Sequence, residues 1–179
     1  MSGYDGHMRA ARVVNEAGGM LVGRTRLQKV VYLAQLAGYG DEFPFEYKHY
    51  GPFSEDLAGD MEIAAGLGMV REEERRADWG GRYSIYTATE RTPSSEDPAR
   101  SAFIQAAAQI DPVALELAAT AAFLHENGWY DREKDGDDPW VETARRKPDK
   151  VGNGQLERAK AGYKILMALK TPRQLPHIV

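Results

Sequence analysis

The chain has 179 residues, 42% of them hydrophobic, with no cysteine and a formal net charge of −4 at pH 7. A chain of this length buries about 70% of its unfolded surface, so we expect one core, or a core with an appended lobe. The lack of cysteine excludes disulfides, thiolate metal sites and a catalytic thiol. No apolar run approaches the roughly 20 residues that span a bilayer, so we expect a cytoplasmic protein that does not enter a membrane.

The first two predicted elements are helices. Apolar residues at helical spacing predict a helix over residues 7–17, which the pair Gly18-Gly19 ends. Thr25 and Gln28 have the spacing of a capping box, so a second helix should start there and end near Ala37. This second helix is apolar on more than one side, which is typical of a helix in the middle of a domain.

An aromatic segment follows. Alternation over residues 43–50 predicts a short strand, and Gly51-Pro52 predicts a turn. Ser54 is placed to cap a third helix that buries Leu57, Met61 and Leu67. A hairpin should follow, with strands beginning at residue 69 and ending at residue 88 and a turn near residues 78–81.

The chain then becomes helical. Three Asp-Pro pairs each place an N-cap acid before a proline at the first helical position, at Asp97, Asp111 and Asp138. A last helix begins near Asn153, and residues 127–137 predict an acidic mobile loop. The expected fold is mainly α, nearly all-alpha, with one small β-hairpin. A winged helix-turn-helix lobe (residues 1–92) would precede a helical lobe packed on it (residues 93–179).

Several motifs resemble a known family. They are 23–33 (GRTRLQKVVYL), 45–47 (FEY), 50–57 (YGPFSEDL), 66–70 (GLGMV), 115–120 (LELAAT) and 147–150 (KPDK). Together they resemble the YwgA-like family of bacterial proteins, which implies a fold but no settled activity. The LQK and YGP elements are also similar, more distantly, to the Panacea (SocA-like) antitoxin domain. That second resemblance implies binding to a toxin or delivery of a protein partner.

The C-terminal third has a dipolar charge distribution. Residues 126–142 contain seven acidic and two basic side chains, whereas residues 145–173 contain nine basic and two acidic ones. Two interpretations remain open: solvated faces that flank one another, or a basic docking surface.

A winged helix suggests DNA binding, and this is the first alternative function. The third helix would enter the groove, but it offers Glu55, Asp56, Asp60 and Glu62 and no base. Four carboxylates against a polyanion are repulsive at close range, so we do not expect nucleic-acid binding through this helix. In this alternative the contacts would come from other bases: Arg24, Arg26, Lys29, Arg75 and Arg76.

An enzyme is the second alternative. The four histidines have no metal-binding spacing, and no phosphate-binding glycine loop or nucleophile motif is present, so we expect no catalytic residue, no metal and no cofactor. His49 could act as an acid or base with Glu46 or Asp56, but a histidine on an aromatic strand that bonds locally is the simpler interpretation.

The leading hypothesis is protein binding. Aromatic side chains are concentrated at residues 43–53, at Trp79 in the predicted wing turn, and at Trp129, Tyr130 and Trp140 around the acidic loop. Phe45 and Phe53 are expected to belong to the core. We therefore predict a non-enzymatic interaction module, antitoxin-like or adapter-like, whose partner is a toxin-like protein or a second copy of the chain. The predicted contact residues are Tyr47, His49, Tyr50, Trp79 and Arg82.

Overall fold

The fold is mixed α/β: about half of the described chain is helical, and two small antiparallel sheets complete it. The computed structural model describes residues 2–179, with side chains from residue 5 onward. The prediction of a mainly α fold with one small β-hairpin is therefore confirmed in part: helices predominate, but the chain is not all-alpha and has two sheets. The elements are α1 (Ser2–Glu16), β1 (Met20–Val22), α2 (Arg24–Leu36), β2 (Glu46–Lys48), β3 (Gly51–Phe53), α3 (Glu55–Gly66), β4 (Val70–Arg76), β5 (Arg82–Ala88), α4 (Pro98–Ala108), α5 (Pro112–Asn127), α6 (Arg132–Asp135), α7 (Pro139–Arg146) and α8 (Gln155–Met167).

The larger sheet has the strand order β1-β5-β4. The predicted hairpin is confirmed, since β4 and β5 pair in register from Val70 opposite Ala88 to Arg76 opposite Arg82. Strand β1 adds a third strand, with Met20 opposite Thr87. A sequence pattern of only three residues is too short to predict this pairing alone.

The second sheet is a two-stranded hairpin that corrects the prediction for residues 43–52. The strand covers Glu46–Lys48 only, and Gly51-Pro52, predicted as a turn, lies in the partner strand β3. Tyr47 stands opposite Pro52. Proline is tolerated there because a strand of a two-stranded sheet has a free edge that needs no amide donor.

The predicted Asp-Pro helix starts are confirmed. Asp97 accepts hydrogen bonds from the amides of Ala99 and Arg100, Asp111 from Ala114, and Asp138 from Trp140. These bonds satisfy amide donors that the first helical turn leaves unpaired. Ser54 caps α3 as predicted, by accepting from the amide of Leu57 at 3.2 Å.

One hydrophobic core extends through both halves of the chain. Helix α2 packs against α4 and α5, and α5 packs against α7 and α8. Helix α5 is buried over most of its length, from Ala114 to Leu124. Phe45 is half-buried and packs against this core, and Phe53 is also half-buried.

The structure contradicts the predicted burial of Leu67 and places Trp140 in the core. Leu67 is exposed because α3 ends at Gly66. Trp140 is only 2% exposed, since the C-terminal segment covers it and the carbonyl of Ile178 accepts its indole N–H at 2.7 Å. The acidic loop also differs from the prediction, since it contains α6 and buries Asp135.

No helix in the described part of the chain is, by itself, both long and apolar enough to cross a membrane. Helices α4 and α5 together meet the criteria of length and composition, but they are bent by 117° at their junction.

Candidate functional site

Four segments that are distant in sequence meet around the hairpin β2–β3. They are the start of α2, the hairpin itself, the middle of α5 and the segment after α7, and they hold the LQK, YGP, LELAAT and KPDK motifs. Side chains from three of these segments and backbone carbonyls of the hairpin form a largely buried polar network. We call it the lysine network and define it by Lys29, Glu116, Lys147 and Lys150.

Gln28 and Lys29 attach the hairpin to α2. The side-chain amide of Gln28 donates to the Ser54 carbonyl at 3.0 Å and accepts from the Ser54 amide at 2.8 Å. The Nζ of Lys29 donates to the Pro52 carbonyl at 2.7 Å. The predicted capping box is therefore wrong: Gly23 is the N-cap of α2, without a side-chain cap, and Gln28 bonds to another segment.

Glu116 is the single carboxylate of the network. It is only 4% exposed and accepts from Lys147 Nζ at 2.9 Å and from Lys150 Nζ at 2.6 Å. Lys147 also donates to the backbone carbonyl of His49 at 3.0 Å. A buried carboxylate with two amine donors joins α5 to the segment after α7, and Lys147 extends this connection to the hairpin.

The amine of Lys29 is in an unusual electrostatic environment. Burial lowers its pKa from the ordinary value of 10.5 to about 7, because desolvation penalises the charged form. The charge of Glu116 opposes this change, while Lys147 and Lys150 add to it. The network thus contains one amine that loses its proton much more easily than an exposed lysine does.

The hairpin approaches α5 so closely that a glycine is required. Gly51 has φ +92°, and a Cβ at this position would lie 2.4 Å from Thr120 Oγ1. Both the backbone angle and the lack of space exclude a larger residue. Thr120 is fully buried and donates to the Glu116 carbonyl one turn earlier at 2.8 Å.

Two tyrosines of the hairpin region and a tryptophan that contacts one of them lie at the protein surface, and we call them the aromatic surface: Tyr47, Tyr50 and Trp129. Tyr47 is half-buried, and Tyr50 and Trp129 are 57% and 46% exposed. The ring centres of Tyr47 and Trp129 are 6.2 Å apart. Both rings contact the core residue Phe123, with ring centres 6.0 Å away for Tyr47 and 5.5 Å away for Trp129.

Two cations lie against the tyrosines. The guanidinium of Arg146 is 5.1 Å from the centre of the Tyr47 ring, and Lys150 Nζ is 4.7 Å from that of Tyr50. Both distances are within the range of cation–π attraction. These contacts fix two tyrosine rings from the side of the segment that follows α7.

The structure brings together only some of the predicted contact residues. Tyr47, His49 and Tyr50 lie together in the hairpin β2–β3 and its turn. Trp79 lies in the turn between β4 and β5, where it is 79% exposed, and Arg82 forms an exposed ion pair with Glu74 at 3.5 Å. The predicted set is therefore divided between two hairpins.

Sequence reasoning missed Arg146 and the role of the lysines. In the sequence, Arg146 is one of nine bases in residues 145–173, and Lys147 and Lys150 belong to the KPDK motif. Their proximity to the hairpin depends on contacts across nearly a hundred positions, as between Lys147 and His49. The KPDK motif was the one available signal.

Most bases of the nucleic-acid alternative are already engaged. Arg24 pairs with Glu72 at 2.6 Å and Arg75 with Glu73 at 3.2 Å, and Lys29 is buried. Arg26 is half-buried, and desolvation lowers its pKa. Arg76 is exposed.

The histidine considered for catalysis lies beside the lysine network. The side chain of His49 is exposed, and its backbone carbonyl rather than its ring contacts the network. Within residues 2–179, no group of three His, Asp or Glu side chains is arranged to hold a metal ion.

The comparison with known proteins agrees with the motif resemblance. The chain is similar to YwgA of Bacillus subtilis (strain 168), an uncharacterised protein. The two are 29% identical over 135 residues, which cover 72% of this chain and 78% of YwgA. No family model matches the chain. The more distant resemblance to the Panacea antitoxin domain stays a prediction.

Proposed function

We propose that this chain is a non-enzymatic, cytoplasmic protein-binding module whose contact region is the aromatic surface of Tyr47, Tyr50 and Trp129. One observation carries the proposal: two tyrosines at the protein surface are each held by a cation, Arg146 or Lys150, and Lys150 also belongs to the lysine network. Exposed aromatic side chains that are already held in place are typical of residues that anchor protein interfaces.

Side-chain entropy favours this surface as an interface. Fixing a mobile side chain on binding costs about 0.5–1.5 kcal/mol, which weakens association. Tyr47 and Trp129 pack on Phe123, and Gln28 and Lys29 attach the hairpin β2–β3 to α2. The entropy of these side chains has therefore largely been lost during folding rather than on binding. Tyrosine, tryptophan and arginine are also the residue types enriched in interface hot spots.

We infer further that residues 1–92 form a winged helix-turn-helix lobe, with α3 in the recognition position and β4–β5 as the wing. The element order and the sheet order β1-β5-β4 support this inference. Charge favours protein over DNA as the partner of this lobe. Glu55, Asp56 and Glu62 are exposed on α3 and would repel phosphates. An antitoxin-like or adapter-like role, or pairing with a second copy, is compatible with the same surface.

Affinity capture with matched variants tests the proposal. The wild-type chain, the double variant Tyr47→Ala/Trp129→Ala and the control Ile165→Ala would be used as baits, since Ile165 is a 61% exposed residue of α8. A specific partner should be retained by wild type and control and lost by the double variant, and sedimentation would identify self-association. A partner that binds the double variant equally well would refute the proposed surface.

The DNA alternative has its own test. A gel assay in which a DNA duplex is titrated with the wild-type chain at several salt concentrations should show no shift of the DNA band at submicromolar protein. A salt-dependent shift of the DNA band that is lost in an Arg24→Ala/Arg75→Ala variant would make DNA binding, rather than protein binding, the supported function.

A further inference from the structure

A cavity of about 260 Å³ lies beside Tyr50, between α2, α3, β3 and the base of the hairpin β4–β5. Its apolar wall consists of Leu27, Phe53, Ala58 and Met61 with the rings of Tyr50 and Tyr86. A cavity of about 150 Å³ in another protein interior holds a benzene molecule. This cavity therefore has room for a side chain of the size of leucine or phenylalanine.

Four polar side chains that line the cavity already have partners: Arg24, Gln28, Lys29 and Glu72. Arg24 pairs with Glu72, which also accepts from the hydroxyl of Ser84 at 2.6 Å. Gln28 is bonded to the Ser54 backbone and Lys29 to the Pro52 carbonyl. A polar occupant would find few free groups, whereas an apolar occupant would remove apolar surface from water and break none of these bonds.

The edge of the cavity carries one unpaired charge. Glu62 follows Ala58 by one turn of α3, lines the cavity and is exposed. Among the described residues it has no ion-pair partner, whereas the other two charged residues at the edge, Arg24 and Glu72, neutralise each other. The charge of Glu62 also reaches Tyr86, whose pKa is raised to about 12, chiefly by burial. An occupant with a positive charge next to its apolar part would complement this edge.

From these features we infer that the cavity receives one apolar side chain of a partner protein, flanked by a lysine or arginine that pairs with Glu62. The inference rests on the proposed function and specifies the partner's chemistry. Tyr50 connects the two sites, because it forms a wall of the cavity and is part of the aromatic surface. A partner on the aromatic surface can therefore place a neighbouring residue in the cavity.

A small-molecule titration tests the cavity without knowledge of the partner. The probe is 2-phenylethylamine, which combines a phenyl ring with an ammonium group, and 3-phenylpropionate is its anionic counterpart. Titrations followed by ¹H–¹⁵N NMR should give millimolar binding of the amine, with the largest shifts at Ala58, Met61 and Tyr86. The amine should bind about threefold tighter than the acid, as expected for one exposed ion pair.

Variants assign the binding to the cavity. Ala58→Leu and Ala58→Met each fill the cavity and should weaken binding of the amine about tenfold or more. Thermal unfolding checks that both variants fold. Glu62→Gln should weaken it about threefold. The control Glu90→Gln, which changes an exposed acid away from the cavity, should leave it unchanged. The double variant Tyr47→Ala/Trp129→Ala should also bind the amine as the wild type does.

The outcomes separate this inference from the proposed function. If the amine does not bind, or Ala58→Leu binds it normally, the inference is wrong while the capture experiment still decides on the aromatic surface. If a partner is captured, Ala58→Leu should reduce its affinity, and an unchanged affinity would overturn the inference. Amine binding without any captured partner would refute the proposed function and leave a small-molecule cavity in place of a docking site.

Discussion

The buried amine of Lys29 should make the stability of this protein depend on pH in a way that one substitution removes. Its pKa is lowered to about 7 in the folded chain, against 10.5 for an ordinary lysine. Between these two values the unfolded chain binds more protons than the folded chain, so the free energy of unfolding rises with pH. Replacing Lys29 with methionine, which has a similar length and no charge, should abolish this rise.

The magnitude follows from the two pKa values. Burying a charged Lys29 costs about 5 kcal/mol well below pH 7, and this cost falls as the folded state releases its proton. Between about pH 6 and about pH 9.5 the free energy of unfolding of the wild type should therefore rise by about 3 kcal/mol relative to Lys29→Met. The variant also leaves the Pro52 carbonyl without its donor, but that loss is a constant offset.

Urea unfolding of wild type and variant at a series of pH values measures this difference. Lys164→Met, which removes an exposed amine from α8, controls for the loss of one positive charge. A difference between wild type and Lys29→Met that stays constant within about 0.5 kcal/mol over this range would refute the reasoning. The amine would then be charged throughout, and its burial would be compensated by Glu116.

Two further predictions concern residues of α5 and the segments that contact them. Glu116→Ala leaves the buried amine of Lys147 without its carboxylate and should destabilise the fold by about 3–5 kcal/mol in urea unfolding; a loss below about 1 kcal/mol would contradict a buried pair. Gly51→Ala adds a Cβ 2.4 Å from Thr120 Oγ1 and should cost about 2–4 kcal/mol by thermal unfolding, whereas the control Gly80→Ala, with φ +89° and open space, should cost about 1 kcal/mol. Equal losses for the two glycine variants would show that backbone strain alone matters.

The parts of the fold that local chemistry determines could be predicted from the sequence. Ser54, Asp97, Asp111 and Asp138 cap helices as expected, because a cap involves only a side chain and the next few amides. The hairpin β4–β5 was predicted from residue alternation for the same reason, since its strands are joined by a short turn.

The site could not be predicted to the same extent, because its contacts join distant segments. Gln28 fits a capping box with Thr25 by spacing, but its amide bonds to Ser54, and no local pattern indicates that choice. Likewise the burial of Trp140 depends on Ile178, near the end of the chain. The predicted contact residues were chosen for aromatic character, which located Tyr47 and Tyr50 but gave no reason to separate them from Trp79.

The attachment of the hairpin β2–β3 has a consequence for protein synthesis. A two-stranded hairpin is at best marginally stable by itself in water. The hairpin β2–β3 is held by Lys29, which precedes it in the sequence and bonds the Pro52 carbonyl. It is also held by two residues that follow it: Lys147 bonds the His49 carbonyl in its turn, and Lys150 lies against the Tyr50 ring. The complete set of these contacts can therefore form only after residue 150 has left the ribosome. Translation intermediates that end before residue 150 lack the contact of Lys150 with Tyr50.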